Sequence, residues 1–308
     1  MVFLFHYFLF KRYQQVLCHF LNSSISAGQH LLIASAGDTT LAGAVASAHT
    51  ITAQVGGNLN IASQQDSSNY NSTQHSAGIG IAIPIGAGTG SVSGHLSNSK
   101  IDSQYASVGQ QSGMLAGDGG FTVQVGGKTA LTGAVIASTA QALEQGLNSF
   151  NSANGLVMND MQNQAAFSAH SMSASGGVGT LPAGNQGTAV GLGLAGGNAQ
   201  SVSLSGISGI AGNTSITSDA AQTGIAAIFN AQQVQQTINA QTQITAAASQ
   251  QAPQAVASYA ESQQTALREQ ANLESDPVKR AELYSEADKW NENWYEQVLV
   301  SVLSNMAA

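Results

Sequence analysis

Charge is what this chain has least of. Lys, Arg, Asp and Glu make up 8% of its 308 residues, against about 25% in ordinary soluble domains. The little there is clusters: 13 of the 24 charged residues lie between Glu261 and Glu296. A compact globule with so few surface charges is excluded over most of the length. A repetitive stack is not, because hydroxyls and amides can cover its outer faces. Leu, Ile and Val recur throughout, so the deficit does not mean disorder, which pairs low hydrophobicity with high net charge.

Basic residues are rarer still. Only Lys11, Arg12, Lys100 and Lys128 precede Glu261, and the net charge is −8. Without a basic patch, nucleic acid is excluded as a partner. Cys18 is the single cysteine, so no internal disulfide can form; near-absence of cysteine suits a large protein that crosses membranes unfolded. No long hydrophobic run exists either. Met1 to Phe10 is apolar, but ten residues cannot span a bilayer as a helix. Lys11-Arg12 follows the apolar run, where a secretory signal would carry its charge first. This N-terminal segment, 1–25, reads as foreign in style to the rest, with an export or membrane segment as the second reading.

Catalytic patterns are missing as well. His6, His19, His30, His49, His75, His95 and His170 show no metal-ligand spacing. Asp38, Asp66, Asp102, Asp118 and Asp160 are scattered in expected turns. Gly191-Leu-Gly-Leu-Ala-Gly196 fits G-x-G-x-x-G by letter only, with no βαβ context. No catalytic, cofactor-binding or metal-binding residue is therefore assigned, no cofactor is expected, and the chain is read as not an enzyme. Helix charges such as Glu282 and Lys289 read as solvated rather than as part of a toxin site.

What is present is repetition. Phe121-Thr-Val-Gln-Val125 and Ala130-Leu-Thr-Gly-Ala-Val-Ile136 alternate in hydrophobicity between the glycine pairs Gly119-Gly120 and Gly126-Gly127, the pattern of short strands and turns. The same text occurs earlier: Ile51 to Ile61 parallels Phe121 to Leu131, and Thr40 to Val45 parallels Ala130 to Val135. Gly37-Asp-Thr-Thr-Leu41 is echoed in turn by Gly57-Asn-Leu-Asn-Ile61. A fixed period near 20 with short strands marks a β-solenoid, in which stacked coils bury what one coil cannot. Asp38 and Asn58 fall in its turns, where Asx side chains bond nearby backbone.

The expected fold is thus mainly β: a right-handed parallel β-solenoid over 26–175, with a hairpin inserted near 64–98. Gly78-Ile-Gly-Ile-Ala-Ile-Pro-Ile85 supplies that hairpin, with Pro84 keeping it off a central ladder; a membrane-facing strand is the other reading. Coils are expected to resume at Ile101, with a helical turn from Thr139 to Gly146 and a last coil from Met158 to Ala169. Residues 176–218 read as a Gly-rich linker or a membrane-active segment. C-terminal helices follow over 219–308. One begins at Asp219, with Ile225, Ile228, Phe229, Val234, Ile238 and Ile244 on its face; a second begins at Pro253; a third begins at Asp276-Pro277. Trp290, Trp294 and Tyr295 read as packing between helices, with an interaction patch as the alternative.

Gln29 to Ala169 resembles the haemagglutinin-repeat region of filamentous-haemagglutinin-like exoproteins, especially effectors of contact-dependent growth inhibition. Ser107-Val-Gly-Gln-Gln-Ser-Gly-Met-Leu-Ala-Gly-Asp-Gly-Gly-Phe121 and Val125 to Ser138 carry the likeness. Gly206 to Trp294 is similar to the helical pretoxin region that follows there, including the Glu286 to Trp290 stretch. The resemblance implies a structural and delivery module of a two-partner-secreted surface rod. It implies an outer-membrane transporter, a surface receptor or outer membrane on a target cell, and an immunity protein for a toxin. The secretion domain, receptor-binding segment, Val-Glu-Asn-Asn boundary and toxin of such effectors have no counterpart in these residues, so a fragment of the exoprotein is expected. A surface adhesin acting by binding alone is the alternative.

Overall fold

The structure, a computed structural model, describes residues 2–83, 90–179, 185–220 and 224–290. In chain order the strands are β1 (Val2–Cys18), β2 (Ser23–Ser35), β3 (Thr39–Ala42), β4 (Ala44–Val55), β5 (Leu59–Ala62), β6 (Asp66–Ile83), β7 (Ser91–Ser107), β8 (Gly113–Ala116), β9 (Phe121–Val125), β10 (Thr129–Thr132) and β11 (Val135–Ala137). Helix α1 (Ala140–Glu144) precedes β12 (Ser149–Ser152), β13 (Leu156–Asn159), β14 (Met161–Gly179), β15 (Asn185–Ser203), β16 (Gly206–Ile207) and β17 (Ala211–Gly212). Helices α2 (Ala231–Leu273) and α3 (Pro277–Lys289) complete the described chain.

The short strands form two almost wholly parallel ladders. One runs β13-β10-β5-β3, all parallel. In the other, β4 pairs in parallel with β2, β8 and β9, β12 joins β9, and β11 joins β8 and β16; only β17 turns back antiparallel. The registers are those of the repeated text. Leu41 faces Ile61, Ile61 faces Leu131, and Ile51 faces Phe121. Identical patterns pair in register because a one-residue slip would turn every buried side chain outward. Ile51, Leu59, Ile61, Met114, Phe121, Val123, Leu131 and Ile136 fill the space between the ladders, almost completely buried.

Local chemistry sets the turns of this stack. Gly43 and Gly133, equivalent in the repeat, hold φ of 58° and 54°, a left-handed conformation that side chains disfavour. The Asx positions act between layers. The Asn58 N–H donates to Asp38 Oδ1 at 2.7 Å, and the Lys128 N–H donates to Asn58 Oδ1 at 2.9 Å. Each carboxylate or amide thus seats the next turn of chain. Thr139 caps α1, accepting from the Ala142 N–H at 3.3 Å.

The five longest strands make a separate antiparallel sheet in the order β1-β6-β7-β14-β15. It leaves the stack through a buried polar junction. Gln111 Nε2 donates to the Gly133 and Leu204 carbonyls, both at 2.9 Å. Ser63 Oγ donates to the Gly133 carbonyl at 2.5 Å and accepts from the Ser112 N–H at 2.8 Å. Asn163 Oδ1 accepts from the Val108 N–H at 2.9 Å. These residues lie where strands cross from one sheet system to the other, so the backbone groups that neither ladder can pair find partners.

The expectation of a parallel solenoid followed by a linker and helices holds in its coarser part: the protein is mainly β with C-terminal helices. It needs correction in several places. The coils do not resume at Ile101; β7 runs to Ser107 and Ile101 is buried beside Ala169 and Ile238. Met158 to Ala169 is not a last coil, because Met158 and Asn159 close the parallel strand β13 while β14 starts the antiparallel sheet at Met161. The 176–218 stretch is not a linker over its described residues: Asn185–Ser203 pairs with β14 along its length. The segment 1–25 joins the fold as β1, paired with β6 from Val2↔Ile83 to Cys18↔Ser67. No helix begins at Asp219; Ser218–Ala220 is a single 3-10 turn, and α2 starts after Asn230, whose side chain accepts from the Gln233 N–H at 3.0 Å. No second helix begins at position 253, through which α2 runs unbroken. A proline there removes one N–H from a ladder of many. Asp276 does cap α3, accepting from the Val278 N–H at 2.9 Å. Pro84, Trp294 and Tyr295 lie outside the described residues.

Candidate functional site

The candidate site is the antiparallel sheet, not a cleft. Its two faces are dressed differently. Helix α2 lies against β15 and β14 on one face. There Ile101, Ala169, Val234 and Ile238 form a small core, flanked by Tyr70, Phe167, Ala195 and Phe229. Side chains alternate along each strand, so the registers define the helix-free face. Across it run Phe8, Ala77, Leu96, Ala174 and Val190, each opposite the next. A parallel row holds Phe10, His75, Asn98, Met172 and Leu192.

This apolar part of the face lies at the end away from the stack. Phe8 and Leu96 are 61% and 62% exposed. A shallow groove of about 600 Å³ crosses it between His6, Phe8, Ile79, Leu96 and Val190. Nearer the stack the chemistry changes within two rows. Arg12, Thr73, Lys100 and His170 form one row; Gln14, Asn71, Asp102 and Ser168 form the next. Lys100 pairs with Asp102 at 2.9 Å. The sheet therefore grades from apolar at its far end, through a basic row, to polar where it meets the stack.

The two edges of the sheet also differ. Along β15 the outward N–H groups of Leu194, Leu192 and Val190 donate to Gln241 Oε1, Thr245 Oγ1 and Ser249 Oγ at 2.7, 2.6 and 2.8 Å. The Thr245 hydroxyl returns a bond to the Leu192 carbonyl at 2.8 Å. Four helical residues rise about 6 Å and two strand residues rise about 6.7 Å, so side chains at every fourth helix position match alternate strand positions. Gly191 and Gly193 make this approach possible, since a Cβ at either would collide with the Thr242 or Ile238 carbonyl. The G-x-G letters at Gly191 thus serve helix packing. The β1 edge has no such cover: among the described residues β1 pairs only with β6.

The remaining residues singled out from the sequence are dispersed. Among the described residues no three His, Cys, Asp or Glu side chains gather as a metal site. His19 bonds Asp66 at 2.7 Å, His75 lies near the Phe10 ring and His95 near the Tyr7 ring. Asp118 accepts from Thr139 Oγ1 at 2.7 Å, and Asp160 accepts from the Ser205 N–H at 2.8 Å. Each acid fastens a turn or junction. Trp290 packs edge-on against Tyr259, with ring centroids 5.8 Å apart, where α3 folds back on α2. No helix among the described residues is long and apolar enough to cross a membrane.

Sequence reasoning missed the junction residues Gln111, Ser112 and Asn163 and the edge-covering set Gln241, Thr245 and Ser249. The four-residue spacing of the latter was the available signal.

Comparison with known proteins falls on the repeat region. Residues 20–77 match the hemagglutinin repeat family. Beyond that match, the chain is similar over about half its length to CdiA proteins. It is 46% identical over 151 residues to the tRNA nuclease CdiA of Yersinia mollaretii, covering 49% of this chain and 5% of that protein. Identity to the toxin CdiA of Escherichia coli is 43% over 159 residues, 51% of this chain and 5% of the relative. The deoxyribonuclease CdiA of Yersinia pseudotuberculosis is 40% identical over 179 residues, 57% of this chain and 16% of the relative. The chain thus aligns with only a small part of each. No solved structure matches.

Proposed function

We propose that this chain is a structural and delivery module of a two-partner-secreted surface exoprotein of the contact-dependent growth inhibition type. The parallel ladders are read as successive coils of a right-handed β-solenoid, interrupted twice by the long strands of the antiparallel sheet. The observation that carries the reading is the coincidence of two registers. The text that repeats along the chain is the text that pairs strand to strand, Leu41 to Ile61 to Leu131, and it lies in the region alike in CdiA proteins. Such coils form a rod segment with no need of charge, disulfide or metal. The apolar-to-polar grading of the attached sheet supports a role at a target-cell outer membrane. Its partners are then a surface receptor or the membrane of a target bacterium, an outer-membrane transporter, and an immunity protein for a toxin carried in the same exoprotein. The work of this region is mechanical rather than enzymatic.

A chimaeric CdiA in which these residues replace the corresponding region tests the reading in co-culture. Retained inhibition of susceptible targets is the expected result. Normal display and target-cell attachment with no inhibition would overturn it. If the purified chain by itself bound target cells, the binding-only adhesin would become the better account.

A further inference from the structure

Strand β1 has the composition of an interior strand and the position of an edge strand. From Val2 to Phe10 it is apolar on both faces apart from His6, as strands buried on both sides largely are. Phe3, Phe5, Tyr7 and Leu9 fall on the α2 side; Leu4, Phe8 and Phe10 fall on the other. All remain exposed, Phe5 at 77%. Every second N–H and C=O of an antiparallel strand points away from its one partner, so the outer edge of β1 offers a row of backbone groups with no strand paired to them among the described residues. The same sheet shows what is done with an edge that stays closed: on β15 it is filled by Gln241, Thr245 and Ser249. Long, uncovered edges pair with other strands.

We propose that β1 pairs antiparallel with β1 of a second copy of this chain, about a two-fold axis at His6. Lipid would cover the apolar faces but leave the outward backbone groups without partners, each costing several kcal/mol in hydrocarbon. A strand satisfies both. The segment complements itself: Leu4 lies opposite Phe8, Phe5 opposite Tyr7 and Phe3 opposite Leu9, so apolar side chains meet on both faces. Lys11 and Arg12 fall beyond the paired stretch, and no like charges face each other. The contact is isologous and closes at two copies, joining two five-stranded sheets into one whose outer edges are both capped by α2.

Sedimentation of the full chain in detergent-free buffer tests this. A dimer is expected. The Phe5→Lys/Phe8→Lys variant, altered at one exposed position on each face, should sediment as a monomer with an unchanged circular-dichroism spectrum. In a Cys18→Ser background, His6→Cys should form a disulfide-linked dimer under mild oxidation, while Phe10→Cys should not. A wild-type monomer would overturn the proposal, including one that instead binds phospholipid vesicles through the apolar face. A dimer or larger species indifferent to the lysines and to position 6 would also overturn it.

Discussion

The parallel stack and the antiparallel sheet are built from similar residues and held by different forces. In the stack, each layer templates the next, and the aliphatic row from Ile51 to Ile136 is sealed between two ladders. In the sheet, strands of 17 to 19 residues are held mainly by their backbone ladders, while much of their apolar surface stays open. The stack places its hydrophobic effect inside, where it stabilises the fold. The sheet leaves much of it outside, where it is available for contact. The protein therefore separates a region with a sealed apolar core from one with open apolar surface, and the polar junction at Gln111 and Asn163 joins one to the other.

The sharpest way to break that contrast is to remove the same side chain from each region. Phe121→Ala in the stack should cost about 3–5 kcal/mol, whereas Phe8→Ala on the exposed sheet face, compared within a monomeric Phe5→Lys background, should cost less than about 0.5 kcal/mol. Chemical denaturation of both variants checks this; equal costs would erase the distinction. A smaller effect is expected where helix meets sheet. The Gly191→Ala/Gly193→Ala variant should lift α2 from β15 at about 1–3 kcal/mol. Amide exchange should then quicken at Val190, Leu192 and Leu194, while Ala195, facing β14, stays protected. At the junction, Gln111→Leu removes one of the two donors to the buried Gly133 carbonyl and the side-chain donor to the part-buried Leu204 carbonyl, and should cost about 1–3 kcal/mol, read as a lower Tm. Least of all, Asp38→Ala removes one exposed inter-layer bond, about 0.5–1.5 kcal/mol, and a matching change at Asn58 should add to it.

What was legible in the sequence was what repeats or punctuates locally. Leu41, Ile61 and Leu131 announce their pairing by shared context, Asp38 and Asn58 by their place in the turn, Thr139 and Asp276 by capping chemistry. The antiparallel sheet was far less visible. Only its Ile/Gly alternation before Pro84 suggested a hairpin; elsewhere β6, β7 and β14 are rich in Ser, Asn and Ala, whose small or polar side chains mark a period poorly. The glycines of β15 looked like a linker because their purpose, close approach of α2, exists only in the folded molecule. The apolar N-terminal run showed no partner in sequence because its partner, β6, lies beyond four intervening strands and shares no text with it. For the candidate surface, composition named the apolar residues, but only strand registers bring Phe8, Leu96 and Val190 into one row.

The central claim is that the repeated text stacks in register across the inserted hairpin. Disulfide trapping measures this directly. Asn60 and Ala130 are adjacent partners in β5 and β10, on opposite sides of that hairpin in the chain. In a Cys18→Ser background, Asn60→Cys/Ala130→Cys should cross-link within one molecule on mild oxidation, and Asn60→Cys/Thr132→Cys should not. Efficient linking of the second pair, or of neither, would contradict the stacked register and the solenoid reading built on it.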